Sequence, residues 1–172
     1  MSGRAKSAFG TVSKDPVRGC PSRVTRYRSD RSSEDTGPMR GTAVGILWVL
    51  ATVQLVVGTW ALVAPLVFYE GFPLPAHAWV GLLPPYNEHL VRDVGALNLA
   101  LAVVLLGAAL RADRATVRLA VTAGLAAAVP HTAYHALHLG HFPPVDAAAQ
   151  TAGMVVHLAL LTTVLVLSFR DR

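Results

Sequence analysis

The chain has 172 residues, 53% hydrophobic and 15% charged, against roughly 25% charged in soluble domains. Its formal net charge of +5 lies wholly in residues 1–40, which hold nine Lys or Arg and four Asp or Glu, whereas residues 41–172 hold six of each. No basic face for nucleic acid is therefore expected on the folded body. The single cysteine, Cys20, excludes an intrachain disulfide and a cysteine-built metal site.

Residues 1–38 are rich in Ser, Arg and Gly and poor in aliphatics. They cannot bury enough apolar area to offset the entropy of ordering, so a disordered basic tail is expected. No apolar run precedes residue 43, so this is not a signal peptide. Met39 stands directly before the first apolar run and offers an alternative start, which would make the tail a gene-start error.

Four apolar runs follow, at about 41–64, 90–110, 115–139 and 147–169. A hydrocarbon core of about 30 Å needs around 20 helical residues, and lipid leaves an isolated segment no other way to satisfy its backbone. The expected fold is all-α, a bundle of four transmembrane helices over residues 41–169. A soluble bundle would show polar outer faces at helical spacing; the first and fourth runs are apolar all round.

Lys and Arg cluster before the first run, between the second and third (Arg111, Arg114, Arg118) and at the end (Arg170, Arg172), while loops 65–89 and 140–146 have none. The positive-inside rule then places both termini in the cytoplasm, in the inner (plasma) membrane. Loop 65–89 carries five aromatics suited to a headgroup-level belt and five prolines that prevent a long helix.

The polar residues that share the expected outer end are the candidate site. His131, His135 and His138 follow i, i+4, i+7 and form one stripe, which continues inward as Ala127, Gly124 and Ala120, small residues that allow close helix approach. Pro130 removes one backbone donor beside His131. The segment "NEHLVRD" opens the second run, with Asn87 as N-cap and with Glu88–Arg92 and His89–Asp93 as i, i+4 pairs. His157 lies about 15 Å into the fourth run, near the depth of His131. Asn98 and Gln54 suit interhelical hydrogen bonds.

Three arrangements fit these residues. One is a polar network of Glu88, His89, Arg92, Asp93, His131, His135, His138 and His157 tying the helices together at the outer leaflet. Another is a transition-metal site of His131 and His135 with Glu88 and Asp93. The third is haem held between His131 and His157. The spacing H-x-x-x-H lacks the glutamate of a metalloprotease motif, and neither a phosphate loop nor a G-x-S-x-G elbow occurs, so no catalytic residue is assigned.

"WALVAPLVFY" closing the first run and "NEHLVRDVGALNLALAVVLL" opening the second resemble the DoxX-like group of small bacterial four-helix membrane proteins and related four-span families. The resemblance covers about residues 43–169. It implies a multi-pass protein of a group linked with membrane redox complexes. The chain departs from that group in lacking a membrane-facing cysteine and in its histidine-rich third run. The expected role is a non-enzymatic accessory or scaffold subunit in the lipid bilayer, in a homo-oligomer or membrane complex. The alternative is a redox, metal- or haem-binding protein. A transporter would require dimerisation to enclose a path.

Overall fold

The computed structural model describes residues 41–170; the expected disordered tail and the alternative start at Met39 lie outside them. Five α-helices dominate: α1 (Gly41–Val63), α2 (Pro65–Gly71), α3 (Glu88–Arg111), α4 (Arg114–Leu137) and α5 (Pro144–Arg170). Between α2 and α3 a two-residue antiparallel ladder joins β1 (Pro73–Leu74) to β2 (His77–Ala78). A single 3-10 turn, Leu139–His141, separates α4 from α5.

Three helices, α1, α3 and α5, are long and apolar enough to cross a membrane. Four were expected, and α4 falls short of that mark. It is as long as α3, but Arg114 and Arg118 stand in its first turns, and Pro130, His131, Tyr134 and His135 lower the apolarity of its second half. The four long helices pack in a ring: α1 on α3, α3 on α4, α4 on α5, and α5 back on α1.

Glycine sets the closest of these contacts. A Cβ on Gly58 of α1 would lie 2.9 Å from the Gly95 carbonyl oxygen and 2.9 Å from the Leu99 amide nitrogen. A Cβ on Gly95 of α3 would lie 2.6 Å from the Leu62 amide nitrogen. The backbones therefore touch where no side chain intervenes, the device by which helices associate without a hydrophobic driving force. Partner numbers fall along α3 as they rise along α1, so the two run antiparallel. The same holds for α4 and α5, where Gly124 lies against Leu161 and Arg118 bonds to Ser168.

The turn between α3 and α4 has two residues. Ala112 caps α3 in the left-handed region at φ 52°, and its N–H donates to the Ala108 carbonyl. Asp113 caps α4: its carboxylate accepts from the Thr116 amide at 2.9 Å and the Thr116 hydroxyl at 2.7 Å. Those hydrogen bonds, with Arg111 alongside, hold the Asp113 carboxyl below the usual carboxylate range.

Two cores result. The larger joins Leu47, Leu50, Leu105, Val117, Val121, Leu161 and Val164 inside the bundle. The smaller joins Ala61, Phe68 and Val91 with Trp60, Tyr69, Phe72 and Tyr86. The loop aromatics pack on one another and on Trp60, with Phe68–Phe72 ring centroids 4.8 Å apart and Trp60–Phe68 at 5.5 Å, edge to face. The prolines do confine helix in this loop to the short α2. Asn98 returns its side-chain N–H to Val94 of its own helix at 2.7 Å, in place of the expected interhelical bond.

Gly95→Ala should lower stability by about 1–3 kcal/mol, because backbone must move to admit the methyl. Gly107→Ala, where a Cβ meets nothing within 4 Å, should change it by less than about 0.5 kcal/mol. Thermal unfolding in detergent compares them. Ala112→Gly should raise stability by up to about 1 kcal/mol in the same assay, since relief of the left-handed alanine exceeds the entropy that glycine adds to the unfolded chain.

Candidate functional site

The polar residues separate into three groups at one end of the bundle. The first is "NEHLVRD". Asn87 caps α3 as its sequence suggests, accepting from the Leu90 amide at 3.1 Å. Arg92 lies 2.8 Å from the Glu88 carboxylate, and its other terminal nitrogen donates to the Leu62 carbonyl of α1. That carbonyl belongs to the last turn of α1, where helical donors run out. His89 and Asp93 pair at 3.4 Å on the exposed side of the same helix. This group therefore serves the α1–α3 pair.

The second group is the histidine stripe. His131 and His135 pack edge to face with ring centroids 4.6 Å apart. His157 of α5 lies near His131 across the α4–α5 seam. His135 Nδ1 and Gln150 Oε1 are both buried without a hydrogen bond of good geometry, and the two side chains face each other across the α4–α5 seam. An amide oxygen only accepts, so the tautomer that suits His135 is the one with the proton on Nδ1. His138 stacks on Tyr134 at 4.1 Å.

The stripe shares Ala120 and Gly124 with the packing face of α4 and leaves that face at Ala127. That face is Val117, Ala120, Val121, Gly124 and Ala128. Ala127 and His131, expected to point at neighbouring helices, are exposed at the surface of the chain, while His135 and His138 are half-buried. Alanine surrounds α4 on every side, so spacing alone could not tell which small residues are covered.

The residues thought to hold a metal thus divide. His131 and His135 stand together, while Glu88 pairs with Arg92 and Asp93 with His89. Among the described residues no three His, Cys, Asp or Glu side chains form a set that could hold a metal ion. For haem, His131 and His157 do come near one another. A macrocycle between them would have to part a seam where His135 already meets Gln150.

The third group escaped the sequence reading. Asp146, in the first turn of α5, is 6% exposed. Its Oδ1 accepts from His77 Nδ1 at 2.7 Å and from the Trp79 indole N–H at 3.1 Å. One carboxylate oxygen thereby ties β2 and the residue after it to the start of α5, joining loops 65–89 and 140–146 across 67 to 69 residues of chain. The signal available was indirect: an acid in a loop pair free of Lys and Arg must find its donors among His, Trp, Tyr, Asn and backbone.

Asp146→Ala should lower stability by about 1–3 kcal/mol, since it strands two donors at once. It should also expose the chain between Phe72 and Asn87 to limited proteolysis. Asp146→Asn should fall between the two. Cleavage and melting unchanged in the alanine variant would show that the tie holds nothing.

No family model, curated protein or solved structure matches the chain.

Proposed function

We propose that the chain is a four-span integral membrane protein of the plasma membrane, with both termini cytoplasmic, that acts as an accessory or scaffold subunit. The observation that carries this reading is the surface of the bundle. Val53, Leu55, Val56, Leu97, Val103, Val155 and Val156 are all more than half exposed along α1, α3 and α5, an apolar girdle that water would not tolerate.

The fourth crossing rests on connection. A two-residue turn joins α3 to α4, and α4 lies antiparallel along α5 from Arg118–Ser168 at one end to His135–Gln150 at the other. A helix wedged between two crossing neighbours and tied to both ends of one of them crosses too. Its Arg118 reaches the boundary by bonding the Ser168 carbonyl at 2.7 Å and lying over the Phe169 ring at 4.3 Å.

Sidedness follows from charge. Arg111, Arg114, Arg118 and Arg170 gather at one end, whereas loops 65–89 and 140–146 at the other hold no Lys or Arg. The arginine end is the cytoplasmic one. The DoxX-like resemblance of residues 43–169 adds to this reading. The scaffold role draws on the polar groups themselves: they pair with one another or with backbone, and lipid and a membrane partner or second copy are left to cover the outer faces.

Reporter fusions at Ala76 and Pro144 should read outside and one at Asp113 inside. A cytoplasmic signal at Pro144 would overturn the four-span topology.

A further inference from the structure

We propose that His138 and His141, at the outer end of α4, form a two-histidine binding site for a divalent transition ion, tightest for Cu2+. Neither residue belongs to the α4–α5 seam. His138 is the C-cap of α4 and His141 ends the following 3-10 turn.

Both imidazoles are set in the same way. His138 Nδ1 lies 2.7 Å from the Tyr134 carbonyl, and His141 Nδ1 lies 3.1 Å from the His138 carbonyl. A carbonyl oxygen only accepts, so each Nδ1 carries the proton and each Nε2 keeps its lone pair. This is the arrangement of a metal-ligating histidine, in which a backbone carbonyl on one nitrogen fixes the tautomer and orients the other. His138 is further held by the Tyr134 ring, stacked on it at 22° between planes.

The two rings stand 5.7 Å apart, centroid to centroid, with 33° between their planes. That separation admits one ion between two imidazole nitrogens, at about 2 Å from each. His141 is exposed and His138 half-buried, so water completes the coordination sphere. With two protein ligands the site is open and exchangeable. Imidazole favours copper, nickel and zinc over the hard cations Mg2+ and Ca2+, with copper first in the order of divalent affinities. The site depends on the end of α4 and not on the side of the membrane that this end faces, so it stands apart from the topology proposed above.

The test uses the full chain without a histidine tag, in detergent, titrated with Cu2+ and followed by calorimetry and electron paramagnetic resonance. One Cu2+ should bind per chain with nitrogen coupling from two imidazoles, and Mg2+ should not compete. His138→Ala or His141→Ala should each weaken binding about tenfold or more. His138→Asn, which keeps a polar cap on α4, should give the same loss. His77→Ala and His89→Ala, elsewhere at the same end, should leave it unchanged. Copper held equally well by the His138→Ala/His141→Ala double variant, or no copper held by the wild-type chain, would overturn the proposal.

Discussion

The contact between Gly58 and Gly95 decides where the polar chemistry of this protein goes. With no Cβ on either residue, α1 and α3 approach until the Gly95 position lies against the Leu62 backbone. That approach brings the first turn of α3 beside the last turn of α1, and Arg92 then reaches the Leu62 carbonyl while still holding Glu88. A guanidinium has five donors in a rigid fork, so it satisfies a carboxylate and an orphan helix-end carbonyl together. Glu88 is thereby committed to the α1–α3 pair, while Asp93 pairs with His89 on the exposed side of α3. The histidines of α4 find their partners in α5 and in their own backbone.

The two ends of the bundle solve the same problem with opposite charges. At the arginine end, Asp113 caps α4 with Arg111 alongside, and Arg118 bonds the Ser168 hydroxyl and carbonyl. At the other end a buried carboxylate, Asp146, gathers two ring N–H donors from a loop almost seventy residues away. Asp146 also sits in the first turn of α5, where the helix dipole favours a negative charge. The aromatic core under that loop gives the tie something to hold down: Phe72 lies 6.3 Å from Trp79, edge to face, and Trp79 is the residue that Asp146 binds.

How much of this was legible in the residues depends on the range of the interaction. Apolar runs place the long helices to within three residues, because span length and composition are local properties. Local pairs were equally readable: the Asn87 cap, Glu88–Arg92 and His89–Asp93 are all present. The grouping of "NEHLVRD" with the histidine stripe around one site was not, because common depth says nothing about which neighbour a helix faces. The packing side of α4 was hidden for a related reason. A helix with alanine at positions 120, 123, 126, 127 and 128 offers small residues in every direction. The His77–Asp146 pair was out of reach because it exists only once loop 65–89 has folded over its own aromatic core.

Along α4 and the turn beyond it, one repeated residue type takes two roles within three turns, and backbone geometry separates them. His135 still lies inside the helix, where its own turn has no free carbonyl, so its Nδ1 faces Gln150 across the seam. His138 follows the last helical residue, where the carbonyl of Tyr134 has lost its amide partner and accepts the ring N–H instead. His141 repeats the pattern one 3-10 turn later on the His138 carbonyl. An imidazole that spends Nδ1 on another helix joins the bundle together. One that spends it on a helix-end carbonyl keeps a directed lone pair at the surface. The point at which α4 stops is therefore what divides structural histidines from histidines free to bind.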